Sequence, residues 1–286
     1  MRVTVLGMGN MGRAFASRAL DRGHHVTVWN RTAGKAGALV ARGATEISSV
    51  SDAVARADAT LVVVADDDAV LDLCVGIDGA MASVANGAVL ANISTVSPET
   101  ARELAAAGPA DAVLDAPVLG GPAQVATGGG RFLIGGPIEA VHRLDALWSD
   151  LGSGYVHCGP SGSGAVMKLL SNLQLVIGVT ALAEAVATAR MQGIDDNLLR
   201  TVFGNSPVLS PASRQRLDSV LRPDHLGWFS PELARKDVRL AVALAEQRGV
   251  PVRLGPATEN LLTTVIEGGQ WQDFAAVLEA FRPSSA

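Results

Sequence analysis

Val3-Thr4-Val5-Leu6-Gly7-Met8-Gly9-Asn10-Met11-Gly12 is a short apolar run that breaks into three glycines spaced Gly7-x-Gly9-x-x-Gly12. The run suits one buried parallel strand, and Ala14-Phe15-Ala16-Ser17-Arg18-Ala19-Leu20 behind it reads as a helix. Strand, tight turn and helix N-terminus in this order make a dinucleotide-binding unit. Gly7 permits the turn, Gly9 removes a side chain where a pyrophosphate approaches, and Gly12 lets helix and strand pack closely. The unpaired N–H groups of the first helical turn, at the positive end of the helix dipole, then face the phosphates. A purely structural turn accounts for glycines but not for the strand and helix that flank them. Gly7, Met8, Gly9, Asn10, Met11 and Gly12 are therefore candidate cofactor-binding residues.

Past this unit, Val26-Thr27-Val28-Trp29 is a second strand ending at Asn30-Arg31-Thr32, with Lys35 close behind. An NAD-preferring site places a carboxylate here for the ribose 2′-hydroxyl. Asn30, Arg31, Thr32 and Lys35 instead offer donors and positive charge for a 2′-phosphate, so NADP(H) is expected over NAD. Thr32 also reads as a helix cap.

Helix and strand then alternate as in a parallel sheet with right-handed crossovers. Helices are expected over 35–42, 51–57 and 141–151, and strands over 60–64, 89–93, 112–118 and 132–136. Residues 154–159 close this first domain. Ala65 and Asp66, at the carboxyl end of the 60–64 strand, belong beside the cofactor, where Asp66-Asp67-Asp68 reads as a loop and helix N-cap. Thr95 is placed toward the nicotinamide, with Ser97 capping a helix that starts at Pro98. Leu119-Gly120-Gly121 follows a strand and exposes backbone N–H groups, either as a nest for a carboxylate or as a simple turn.

After Gly159-Pro160-Ser161-Gly162-Ser163-Gly164 the pattern turns helical. The expected domains are thus 1–160, a doubly wound, mostly parallel α/β Rossmann domain, and 161–286, an all-helical domain headed by a long interdomain helix over 165–191. Lys168 and Asn172 lie one turn apart on that helix, where a lysine amid Met167, Leu169 and Leu170 is costly without a task. A snorkelling lysine is the plain alternative. Further helices are expected over 195–203, 213–221, 231–248, 255–267 and 275–281, and His225–Phe229 as a segment covering the cleft.

Composition narrows the rest. With 48% hydrophobic and 18% charged residues among 286, the chain affords a large core, and a net charge of -5 offers nucleic acid no cationic surface. Cys74 and Cys158 lack metal-ligand spacing and read as reduced thiols of a cytoplasmic protein; no metal site is visible. Residues 1–12 turn glycine-rich too soon for a signal peptide, and the uncharged run 169–183 falls short of a membrane span.

These motifs together resemble the 3-hydroxyisobutyrate dehydrogenase family, the β-hydroxyacid dehydrogenases, across essentially the whole chain. The resemblance rests on Val5–Gly12, on Asn92-Ile93-Ser94-Thr95-Val96-Ser97-Pro98 and on Asp115-Ala116-Pro117-Val118-Leu119-Gly120-Gly121. It extends to Gly162-Ser163-Gly164-Ala165-Val166-Met167-Lys168-Leu169-Leu170-Ser171-Asn172 and to Lys236-Asp237. It implies Lys168 as the catalytic residue with Asn172 as its orienting partner, Thr95 and Lys236 as cofactor contacts, and Gly120 and Gly121 as substrate binders. It also implies a homodimer packed through the helical domain. Hydride would pass between nicotinamide C4 and a small aldehyde, keto or hydroxy-acid substrate, with Lys168 as general acid or base. Leu119 stands where the family usually has serine, which favours a less polar substrate. The alternatives are an imine reductase, a related group whose members usually carry aspartate or tyrosine at the position of Lys168, and a non-catalytic NADPH-binding protein.

Overall fold

A computed structural model describes residues 1–76, 79–109 and 111–282. It divides into two units, Met1–Lys168 and Leu169–Ala286.

The first unit runs β1 (Arg2–Leu6), α1 (Asn10–Asp21), β2 (His25–Trp29), α2 (Gly37–Val40), β3 (Thr45–Glu46), α3 (Val50–Val54), β4 (Ala59–Val62), α4 (Asp67–Val75), β5 (Val89–Asn92) and α5 (Pro98–Ala107). It continues β6 (Val113–Asp115), β7 (Val118–Leu119), α6 (Pro122–Ala126), β8 (Arg131–Gly135), α7 (Ile138–Arg143), α8 (Asp145–Leu151) and β9 (Tyr155–Gly159). Among the described residues these strands form one sheet in the order β3-β2-β1-β4-β5-β6-β8-β7, with β9 on β8. Pairing is parallel from β3 through β6, as β1 facing β2 from Arg2↔His25 to Leu6↔Trp29 illustrates. It turns antiparallel where β8 meets β6 and β7, and parallel again at β9. β1, β4 and β5 are buried almost throughout, as strands covered on both faces must be. Phe15, Phe132 and Trp148 pack one upon the next, with ring centroids 5.8 and 4.9 Å apart, and each such buried side chain contributes about 1.5–3 kcal/mol.

Several expected elements are shorter or divided. The 112–118 strand breaks at Ala116-Pro117 into β6 and β7, because proline has no N–H for the ladder. The 35–42 helix shrinks to Gly37–Val40. Gly34 stands at φ 81°, outside helical space, and Ala36 rather than Thr32 precedes the first turn, so Thr32 is not a cap. The 141–151 helix divides at Leu144 into α7 and α8. Ser97 caps α5 as expected, accepting from the Thr100 N–H ahead of Pro98.

The second unit takes most of α9 (Ser163–Met191), then α10 (Asp196–Gly204), α11 (Pro211–Gln215), α12 (Leu217–Leu221), α13 (Pro231–Glu246), α14 (Leu254–Gly268) and a closing 3-10 stretch, Phe274–Phe281. The expected 213–221 helix divides at Arg216. Just past the end of α9, Gly193 has a φ of 78° that suits the left-handed stop. By length and apolarity alone α9 would pass for a membrane span, but Val176, Val179, Leu182, Ala183 and Val186 are buried against Leu199, Leu217, Val220, Val238, Leu262 and Phe274. The 225–229 segment is anchored within this unit: the N–H groups of Trp228 and Phe229 donate to buried Asp273 Oδ2 at 3.1 and 3.2 Å, and Asp273 also pairs with Arg216.

Candidate functional site

The glycine turn is built as its spacing requires. Gly7 has φ 105°, and a Cβ there would overlap the Val63 carbonyl oxygen; a Cβ on Gly12 would overlap the Gly7 oxygen. At Gly9, which precedes α1, nothing lies within 4 Å of an added Cβ. No side chain caps the start of α1 and no acidic residue sits in its first turn, so N–H groups face outward beside an open backbone. That is a fit for a pyrophosphate, and not for a bulkier cradle with side chains.

Two expected contacts do other work here. Met8 is 1% exposed, its side chain in the core, and its N–H donates to Asn30 Oδ1 at 2.9 Å. Asn30 Nδ2 donates in turn to the Thr32 oxygen at 2.8 Å, so Asn30 braces the turn with both ends of its amide. Arg13, which the glycine pattern did not single out, donates to the Met8 oxygen at 2.6 Å and to Asn10 Oδ1 at 2.9 Å. Met11 packs, half-buried, against the core, while Arg31, Thr32 and Lys35 are exposed.

At the carboxyl ends of β4 and β5 the loops are tied together. Asp66, after exposed Ala65, caps α4 as expected, its Oδ1 accepting from the Ala69 N–H at 2.9 Å. Asp67 Oδ1 accepts from the Ser97 N–H at 2.8 Å and from the Thr100 hydroxyl at 2.7 Å. Ser94 Oγ accepts from the Val64 N–H and donates to the Val62 oxygen. Half-buried Thr95 thus stands on a segment held from both sides.

The third component brings α9 to the segment after β6. Asp115, 4% exposed, accepts from the N–H groups of Gly162 and Ala165, each at 2.8 Å. Burial pushes its carboxyl above the ordinary range, opposed by these amides and that of Gly164. One turn on, Lys168 Nζ donates to the Val118 oxygen at 2.8 Å, immediately before Leu119-Gly120-Gly121. Gly120 has φ 137°. The Gly121 N–H, one donor of the expected nest or turn, donates to Gln124 Oε1 at 2.9 Å and closes the first turn of α6.

In the second unit, Asn172 Nδ2 donates to Asp237 Oδ2 at 2.6 Å, and Lys236 Nζ pairs with Asp237 Oδ1 at 2.8 Å. Asn172 follows Lys168 by one turn of α9, and its amide nitrogen is directed to Asp237 on α13. Asp237 is 2% exposed, and a lone buried carboxylate between these two donors was not foreseen. Among the described residues no group of His, Cys, Asp and Glu has the makings of a metal site. Cys74 and Cys158 are free thiols, and burial pushes Cys74 up to about 12.

Residues 2–159 match the family model for the NAD-binding domain of 6-phosphogluconate dehydrogenase, and residues 162–281 match that for the NAD-binding domain of NADP-dependent 3-hydroxyisobutyrate dehydrogenase. The chain is 30% identical to a 3-hydroxyisobutyrate dehydrogenase of Pseudomonas aeruginosa, covering 98% of each protein. It is 29% identical to an NAD-dependent L-serine dehydrogenase of the same organism, over 99% of this chain and 98% of that one. Among solved structures, a 3-hydroxyisobutyrate dehydrogenase from Salmonella typhimurium superposes with a TM-score of 0.90 at 26% identity, over 98% and 99% of the two chains. An imine reductase of Streptomyces aurantiacus gives 0.64 at 25% identity, over 99% and 100%.

Proposed function

The chain belongs to the 3-hydroxyisobutyrate dehydrogenase family of NAD(P)-dependent oxidoreductases acting on hydroxy acids, and from that premise we propose that Lys168 is its general acid and base and NADPH its preferred reductant. The observation that carries this reading is the amine of Lys168 held 2.8 Å from the Val118 oxygen, at the head of Leu119-Gly120-Gly121. When bound, the nicotinamide supplies or accepts the hydride at C4. In the reducing direction the carbonyl π pair moves onto oxygen as hydride adds to carbon, and Lys168 releases a proton to that oxygen and is reprotonated from water. In the oxidising direction Lys168 takes the hydroxyl proton while hydride leaves. Gly7, Gly9, Asn10, Met11 and Gly12 hold the pyrophosphate, Thr95 borders the nicotinamide and Lys236 adds a cationic contact. Asn172 and Asp237 fix the direction of Lys236. Leu119 and Gly120 line the substrate site, Gly121 serving through its turn rather than its N–H.

The NADPH preference rests on Arg31 and Lys35, both exposed at the end of β2, where Asn30 occupies the place of a ribose-binding carboxylate. One relative is an NAD-dependent enzyme by name, so the pair of cofactors is the thing to measure. Rates with NADPH and NADH across short semialdehyde acids, ketones and cyclic imines are expected to favour NADPH and carbonyl substrates. Arg31→Ala is expected to cut the NADPH:NADH ratio about 10–100-fold, the worth of one or two charge-assisted hydrogen bonds. An unchanged ratio defeats the cofactor assignment; consumption of NADPH on cyclic imines alone makes this an imine reductase, and no consumption at all makes it a cofactor-binding protein without turnover.

The assembly we propose is a homodimer through the helical unit. The most apolar window of α9 is only 44% buried within the chain, and Leu170, Gln174, Ala181 and Ala185 are exposed at spacings that put them on one face. Sedimentation is expected to give twice the chain mass at micromolar concentration, and a monomer there contradicts the assignment.

A further inference from the structure

We propose that Asp115 is a positioning residue for the reaction: from the end of β6 it grips the first turn of α9 and thereby sets where the Lys168 amine stands. This rests on the reading of Lys168 as the proton donor.

The carboxylate is an unusual cap. α5, α11 and α13 each begin with a serine that caps its own helix, Ser97, Ser210 and Ser230. The first turn of α9 is instead held by a side chain 47 residues upstream of Gly162 and 50 upstream of Ala165. A buried carboxylate without a counter-cation is expensive. Among the described residues no ion pair relieves Asp115, which accepts instead from backbone amides. A local serine would satisfy those amides at far lower cost, so the cost secures something a serine cannot reach across a sheet to do.

What it secures is register. The surrounding chain is bare and tightly packed here: a Cβ on Gly135 would lie 2.5 Å from Oδ1, and one on Gly164 would overlap the Leu133 oxygen and lie 2.9 Å from Oδ2. The amide of Ala165 that Oδ2 holds is three residues before Lys168, on the same helical face. Three residues beyond Asp115 on its own segment, Val118 supplies the carbonyl that receives the Lys168 amine. Residues 115–118 therefore hold α9 twice, by its backbone and by its amine, and Pro117 between the two holds limits the adjustment available to that segment. Loss of the first hold lets the helix start drift, and a misplacement near 1 Å costs about 10²-fold in rate.

Asp115→Asn tests this, since it keeps the shape but turns an NH₂ toward amides that need an acceptor. Expected per folded active site are a kcat lowered about 10²-fold, a Kd for NADPH within about twofold of wild type, and a displaced limb in the pH profile of kcat. If that variant does not fold, Asp115→Glu keeps the acceptors on a longer arm and is expected to give the same split. Wild-type kcat, or a loss that only follows the folded fraction with the pH profile unmoved, overturns the proposal. Lys168→Ala, assayed alongside, separates the two ideas. If it turns over normally, the reading of Lys168 fails. If it is dead while Asp115→Asn is normal, only the role of Asp115 fails.

Discussion

Lys168→Ala is expected to lose about 10²–10⁴-fold in turnover while binding NADPH as tightly as the wild type. The size follows from the charge that must be handled: as hydride reaches the carbonyl carbon, the oxygen gains nearly a full negative charge, and without a positioned acid it must wait for a proton from water. The split between rate and affinity follows from location. The glycine turn and the ends of β2, β4 and β5 hold the dinucleotide in this account, whereas the lysine amine donates to the Val118 oxygen at the head of the substrate segment. Lys168→Arg is no rescue. A guanidinium stays protonated throughout the accessible pH range and its planar fork does not match a single carbonyl acceptor. Turnover and a fluorescence titration of NADPH on the same preparations make the comparison. Parallel loss of both would mean that the side chain supports the fold or the cofactor instead.

A second large effect separates two glycines three residues apart. Gly12→Ala is expected to destabilise the chain by about 1–3 kcal/mol or more, because the new methyl overlaps the Gly7 carbonyl oxygen, which is backbone and cannot swing aside. Set against a total stability of about 5–15 kcal/mol, this is a substantial fall in Tm. Gly9→Ala should leave Tm unchanged. Its φ of -71° suits alanine, and nothing lies within 4 Å of the added atom. Its cost appears only when the cofactor arrives, as a Kd for NADPH raised at least about tenfold, since the methyl stands where phosphate oxygens meet the first turn of α1. Thermal melts with and without NADPH read both effects. Undiminished NADPH binding by Gly9→Ala would move the dinucleotide away from this turn.

The glycine turn was legible from the sequence because its chemistry is local. Gly7 and Gly12 answer to atoms within a few residues or on the neighbouring strand, and Ser97-Pro98 caps its own helix. The long helix and the mostly parallel sheet were legible for the same reason, through unbroken apolar periodicity. Residues whose partner is distant were not. Asp67 reaches 30 residues to the Ser97 amide, Asp115 reaches 47 to Gly162, and Asp237 receives Asn172 from 65 residues away. Nothing in the composition around these aspartates distinguishes a buried organiser from a surface charge. Asn30 and Gly121 have internal bonds that their place in the sequence did not reveal: Asn30 accepts from the Met8 N–H and donates to the Thr32 oxygen, and the Gly121 N–H donates to Gln124. One signal did exist. Gln124 stands three residues after Gly121 at the head of a helix, a spacing that turns a glutamine back onto the preceding N–H. The antiparallel placement of β8 also escaped, since apolar content alone does not reveal strand direction.

The most direct test of the proton-donating lysine is a single turnover. Lys168→Ala, fully loaded with NADPH, is mixed with excess aldehyde and the loss of reduced-nicotinamide absorbance is followed. The account predicts hydride transfer slower than wild type by at least about 10²-fold at equal cofactor occupancy. Transfer at the wild-type rate would contradict it.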